Sequence, residues 1–316
     1  MATRPVEVSV SSGKVVQRSA FAGLGRKLIP YGMLFPAVAL LILLNLIASG
    51  FGVYLSFLDW NYFRPNQLFD WVGLRHYAAL VTDPIFLTAV EHTVVWSAVV
   101  VPGGFLVGLY LALLLNEDVR GKWLFRTLIL LPWAVPLVVA AVTWSFFFSP
   151  GNGPLNDALF KLGQYNLKYM NWLGSETFAF PIVMGVQIWR TAPFFAITLL
   201  AGLQSIPPDL YDAAEIDGAD SVGRFRFITL PLLRPVAAVV LLQGLIWSFF
   251  NFTTVFVMTQ GGPAHASELL TIYLWRQAFP LADVGSGSAV GTILVLFLSI
   301  VGTFWVIGVM RKETTG

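Results

Sequence analysis

The stretch YDAAEIDGADSVGRFRFITLPLLRP, residues 211–235, decides how this chain is read. It is acidic at its start and basic at its end, yet it stands between two long apolar runs. Pro207 and Pro208 stop the preceding helix, and proline is favoured again only in the first turn of a new one. Asp209, Asp212 and Glu215 crowd the front of a short helix, where negative charge complements the positive end of the dipole. Gly218 supplies a left-handed residue that ends it. Asp220 or Ser221 caps a second helix, which carries Arg224 and Arg226 before Ile228, Leu230 and Pro231 return the chain to apolar surroundings. The pattern predicts a helix–turn–helix elbow on which Ala213 and Ala214 leave a shallow face open to close approach. Taken in isolation, it also fits a solvated, well-capped loop.

Composition says what flanks the elbow. Of 316 residues, 57% are hydrophobic and 11% charged, against about 25% charged in soluble domains; the mean hydropathy is +0.75. Lipid must therefore be the main solvent. A membrane helix needs about 20 mostly apolar residues, and runs at 31–58, 93–115, 124–148, 178–203, 236–258 and 289–310 qualify. An all-α membrane protein of six transmembrane helices is expected, because these runs lack the alternation of a barrel strand. Pro36, Pro102, Pro132, Pro136 and Pro193 fall in or near the runs and are tolerated there when neighbouring helices re-satisfy the backbone. The polar start reads as a tail, since the apolar run after it is too long for a signal-peptide core. The expected organisation is a tail at 1–28, a transmembrane domain at 29–310 with the elbow at about 205–231, and a tail at 311–316.

Lys and Arg set the orientation. With the N-terminus inside, the inner segments hold Arg4, Lys14, Arg18, Arg26 and Lys27, then Arg120, Lys122 and Arg126, then Arg224, Arg226 and Arg234, and finally Arg311 and Lys312. The outer loops at 59–91, 149–177 and 259–288 hold Arg64, Arg75, Lys161, Lys168 and Arg276. Both termini and the elbow are thus expected in the cytoplasm, with the aromatic-rich loops outside.

The elbow also carries a spacing: Asp212-Ala213-Ala214, three residues, Gly218, nine residues, Ile228, one residue, Leu230-Pro231. It resembles the EAA motif of ABC-importer permeases, with Asp212 where that family usually has Glu. "PFFAITLLAGLQSIPPDLYDAAEIDGA" and "VMTQGGPAHASELLTIYLWRQAF" resemble segments of the carbohydrate-uptake branch, of the maltose/glycerol-phosphate type, in the first of its two paired permeases. The resemblance covers most of 31–310. Two departures are His92-Thr93 where relatives often show Asn-Thr, and Thr253 where an acidic residue is frequent.

The resemblance implies an ATP-driven importer for a sugar or related polyol, in the plasma (inner) membrane of a prokaryote. The expected partners are a second homologous permease, two cytoplasmic ATPase subunits, an extracytoplasmic solute-binding protein and the lipid bilayer. Asp212, Ala213, Ala214, Glu215, Gly218, Ile228, Leu230 and Pro231 would couple to the ATPases, with Asp212 anchoring an ATPase Arg or Glu215 sharing that task.

Read for other chemistry, the chain offers little. It has no G-x-x-x-x-G-K-[ST], so no enzymatic ATP hydrolysis of its own is expected; ATP and Mg belong to the partner subunits, and this chain is expected to bind no cofactor. Gly151-Asn152-Gly153-Pro154 and Gly261-Gly262-Pro263 read as turns. His76, His92 and His265 have no ligand spacing, there is no cysteine, and a formal charge of +2 points to no nucleic-acid partner. No catalytic set and no metal site is expected.

A sugar path needs amides or charges beside aromatic rings, and Gln187-Ile188-Trp189-Arg190 supplies one such group. Gln243, Trp247, Asn251 and Thr254 supply another at helical spacing. These residues equally fit interhelical hydrogen bonding and packing, and Arg190 equally fits a structural charge near Pro193. The alternative reading is an ion-gradient carrier or channel. Such carriers place acids near the bilayer midplane, and the six predicted runs contain none.

Overall fold

The computed structural model describes residues 31, 33–64, 70–117 and 120–313; the predicted tails lie largely outside them. The chain divides into two units, Met1–Phe51 and Gly52–Gly316. Helix α1 (Met33–Leu55) carries no charged residue and passes through a π-helical stretch at Ile42–Ile47.

The second unit is a helical bundle capped at one end by short elements. A two-stranded ribbon pairs β1 (Leu58–Asp59) with β2 (Asp70–Trp71), Leu58 opposite Trp71. After α2 (Arg75–Thr82), the long α3 runs from Pro84 to Asn116. It starts nine residues before the predicted span because Asp83 caps it, its Oδ1 accepting from Ile85 N at 2.7 Å and Phe86 N at 3.4 Å. At 1.5 Å per residue α3 is about 50 Å long, well beyond a hydrocarbon core of about 30 Å, so it either tilts or projects past the membrane.

The third predicted span is not one straight helix. It is α4 (Lys122–Ala134) followed by α5 (Leu137–Phe147), bent by 89°. Pro136 removes a donor and forces Val135 out of helical geometry, to φ −67° and ψ 132°. A short α6 (Pro154–Lys161) leads to α7 (Ala179–Gln204). Then come α8 (Pro208–Ile216), α9 (Ser221–Phe249), α10 (Thr253–Met258), α11 (Leu270–Ala278) and α12 (Val284–Glu313). Among the described residues, five helices are long and apolar enough to cross a membrane, and the bent α4–α5 pair makes a sixth.

Lipid tails are as apolar as leucine, so burial alone does not drive helix association; close packing does. The α3–α7 seam shows how. Phe195 of α7 is 1% exposed, and its neighbours are Gly104 and Gly108 of α3 and Gly244 of α9. A Cβ at Gly108 would stand 2.5 Å from Phe195 Cβ and 2.9 Å from the Ala192 carbonyl, and one at Gly244 would stand 2.6 Å from the ring. The absence of those side chains lets three helices converge on one aromatic ring. Toward the elbow the core continues through Leu109, Ala112, Leu199, Leu203 and Leu233. At the opposite end Trp96, Val183, Val255 and Ile272 form a second cluster.

Candidate functional site: the elbow and a polar cavity

The elbow forms, and its details are built by the residues that predicted it. Pro208 opens α8, and Gly218 ends it at φ +80°. Ala219 N donates to Ala214 O at 2.8 Å and Gly218 N to Glu215 O at 3.0 Å, the paired bonds of a Schellman turn. Asp220 then caps the next helix, its Oδ1 accepting from Gly223 N at 2.7 Å. The expected separate second helix is instead the first turn of α9. That helix runs on into the fifth span through a π-helical stretch at Phe225–Thr229. Pro231 lies inside this helix without breaking it, directly after the π-helical stretch, where the backbone bonding already departs from the α pattern.

Two contacts fold the elbow onto itself. Tyr211 and Thr229 hydroxyls meet at 3.0 Å, and Arg224 Nη1 donates to Glu215 Oε2 at 2.9 Å. Glu215 is therefore engaged within the chain, while its side chain stays 72% exposed beside Asp212. Asp212, Ala213 and Gly218 are exposed, Ala214 is half-buried, and Ile216 is 87% exposed. Ile228 and Leu230 follow along the π-helical stretch and its end, with Pro231 next.

A cavity of about 400 Å³ lies within the bundle, lined by Trp133, Leu137, Gln187, Arg190, Thr191, Trp247, Phe250, Asn251, Phe252 and Thr253. It brings together Gln187, Arg190, Trp247 and Asn251 of the six predicted path residues. Trp189 points elsewhere, its ring 5.3 Å edge-on from Trp144, and Gln243 is not among the lining residues. The predicted single helical face from Gln243 to Thr254 does not exist, because α9 stops at Phe249 and the chain re-enters a helix only at Thr253.

Two interrupted helices frame this space. The α4–α5 bend delivers Trp133 and Leu137, and the α9–α10 gap delivers Phe250, Asn251 and Thr253. The wall is fixed by polar ties: Thr254 Oγ1 donates to Gln187 Oε1 at 2.8 Å, and Thr271 Oγ1 donates to Asn251 O at 2.5 Å. Ser97 and Ser248 hydroxyls pair behind it. Arg190 Nε and Asn251 Oδ1 are buried without a hydrogen-bond partner. An interrupted helix beside unpaired polar atoms is how membrane carriers build binding sites. Sequence reasoning missed Trp133, although Pro132 and Pro136 marked the place. Among the described residues no group of His, Cys, Asp and Glu could hold a metal ion.

Comparison with known proteins identifies the family. The chain is 34% identical to the sulfoquinovosyl glycerol transport system permease protein SmoG of Agrobacterium fabrum, over 91% of this chain and 92% of that one. It is 38% identical to the trehalose/maltose transport system permease protein MalF of Thermococcus litoralis, over 79% and 83% respectively. A chain of a bacterial ABC transporter that imports the acidic polysaccharide alginate superposes with a TM-score of 0.79. That match has 25% identity and covers 92% of this chain and 98% of the other. Residues 104–312 match the family described as the binding-protein-dependent transport system inner membrane component. The chain belongs to that family, and it is a multi-pass permease subunit of an ABC importer.

Proposed function

We propose that this subunit forms half of the path for a sugar or sugar-like polyol, and that the cavity between the two interrupted helices receives it. The observation that carries this reading is the lining: Gln187, Arg190 and Asn251 stand beside the Trp133 and Trp247 side chains. Amide and guanidinium groups match sugar hydroxyls, and indole faces match the C–H faces of a pyranose. The names of the relatives, which concern sulfoquinovosyl glycerol, trehalose and maltose, support the same solute class.

In this reading the N-terminus, the C-terminus and the elbow face the cytoplasm, as the distribution of Lys and Arg suggests. Two ATPase subunits, which hold ATP and Mg, grip this elbow and its counterpart on a second permease, and a solute-binding protein docks on the outer cap. Asp212 anchors an ATPase cation by a charge-assisted hydrogen bond, with Ala213 and Ala214 permitting close approach. ATP-driven closure moves the elbows and opens the cavity outward; hydrolysis resets it.

The test is a thermal-shift screen of the cognate binding protein against a sugar panel. It is followed by solute-stimulated ATP hydrolysis in the reconstituted complex. Uptake by this polypeptide alone, without an ATPase, would overturn the proposal.

A further inference from the structure

At the end of the molecule remote from the elbow lies a buried carboxylate for which the transport cycle above has no use. Glu268 is 0% exposed. Its Oε2 accepts from Arg276 Nη2 at 2.7 Å and lies 2.9 Å from His265 Nδ1. Arg276 Nη1 also lies 3.0 Å from that same nitrogen. One ring nitrogen cannot serve both neighbours: with a proton it donates to Glu268, and without one it accepts from Arg276. Glu268 Oε1 is buried with no partner, and so is His92 Nδ1 of α3.

The loop is wrapped around this carboxylate. Gly261 sits at φ +85°, and a Cβ there would stand 2.8 Å from Glu268 Oε2. Ser267 Oγ donates to Gly262 O at 2.7 Å and Ser267 N to Gly261 O at 3.1 Å.

A single helix connects the cluster to the cavity. Arg276 is near the C-terminal end of α11, and Thr271 in its first turn holds the Asn251 carbonyl. Leu270 N donates to Thr93 Oγ1 at 2.9 Å, seating the same helix on α3. We propose that Glu268 is a positioning residue for transport. With Arg276 and His265 it holds α11 and the 259–269 loop as one piece, and protons arriving from the outer side loosen the grip on Asn251 in the cavity wall. The inference rests on the permease reading above.

Every charged group facing Glu268 enters the balance. Burial pushes its carboxyl above the ordinary value, opposed by His265 in its own loop, Arg276 on α11 and His92 on α3. Tyr273 of α11 also feels it; burial and the Asp83 carboxylate push its hydroxyl up, so it remains a donor to Asp83 Oδ2 at 2.7 Å. The anion that holds Arg276 is therefore lost in milder acid than an exposed carboxylate requires. Because the folded-state value is the raised one, taking up this proton does not favour unfolding. The response is local.

The experiment uses the complete transporter in proteoliposomes, with ATP and about pH 7.5 inside and binding protein outside, while the outer pH is lowered to about 5. Stimulated ATP hydrolysis falls about tenfold in the wild type, the equivalent of one charge-assisted hydrogen bond. Glu268→Gln, which imitates the protonated acid, is low at neutral pH and flat across the range. His265→Ala, which removes a donor to the carboxylate, moves the midpoint to higher pH. Thr271→Val, which cuts α11 from Asn251 and leaves the cluster intact, blunts the response. A wild-type profile in Glu268→Gln overturns the proposal. Should that variant fail to assemble, wild-type profiles in both His265→Ala and Thr271→Val overturn it equally. A wild-type complex that binding protein does not stimulate at all overturns the permease reading and this one together.

Discussion

Replacing Thr254 by valine removes one hydroxyl from the cavity wall and changes almost nothing in volume. Thr254 is 1% exposed and Gln187 5%, and the 2.8 Å bond between them joins α10 to α7. Interhelical hydrogen bonds in membranes are worth about 0.6 kcal/mol on average and up to about 1.7. Leaving a buried acceptor orphaned costs about 1–3 kcal/mol. Gln187 borders the cavity, so water can re-satisfy part of its carbonyl. The expected loss is about 1–2 kcal/mol, a factor of about 5–30 in the folding equilibrium.

The assay is unfolding in lipid nanodiscs of Thr254→Val, Gln187→Leu and the pair. Removing both partners leaves no orphan, so the double variant should be more stable than the sum of the singles by about 1 kcal/mol. Thr254→Ser, which keeps the hydroxyl, should stay close to wild type. A Thr254→Val protein as stable as wild type would refute the reasoning, and so would strictly additive singles. In the reconstituted importer the same substitution should raise the solute KM, because α10 carries the wall that follows Asn251.

Three other substitutions have defined outcomes. Gly104→Ala and Gly108→Ala should each cost about 1–3 kcal/mol by overpacking. Phe195→Leu should relieve only the first, whose Cβ meets the ring at 2.8 Å and Thr191 Oγ1 at 3.0 Å, while the second also meets the Ala192 backbone; a melting series reads this. Asp212→Ala should lower co-purification of the ATPase and solute-stimulated hydrolysis about tenfold, the worth of one charge-assisted bond; normal assembly and coupling would dismiss Asp212 as the anchor. Trp247→Ala should raise KM about tenfold with little change in basal ATP hydrolysis, as loss of an aromatic contact predicts; uptake kinetics decide it.

The elbow was legible because its signals are local. Two prolines, Asp209 in the first turn, Gly218 and Asp220 each act within a few residues, and each does so in the structure, whereas Glu215 falls in the last turn of α8, away from the positive end of the dipole. The spans were legible from composition, since lipid leaves few alternatives to a helix. Continuity was harder to read. Pro136 breaks a span, whereas Pro102, Pro193 and Pro235 sit inside unbroken helices, and only the neighbours that receive the freed backbone decide between the two. The path residues divided for the same reason. Helical periodicity put Gln243 and Asn251 on one face, but the α9–α10 gap turned Asn251 into the cavity and left Gln243 aside. Glu268 lies in the predicted outer loop at 259–288 and drew no notice in the sequence; its burial depends on Arg276 and on contacts with α3, far away in sequence.

One consequence lies in the uninterrupted course of α9. Ser221 in the elbow and Trp247 at the cavity belong to the same rod. Twenty-six residue steps of continuous helix separate them, a length of about 39 Å. A rocking motion of only about 5° about the elbow end would sweep the indole sideways by about 3 Å, roughly the width of a water molecule. A push on the elbow would thus reach the cavity along one continuous helix.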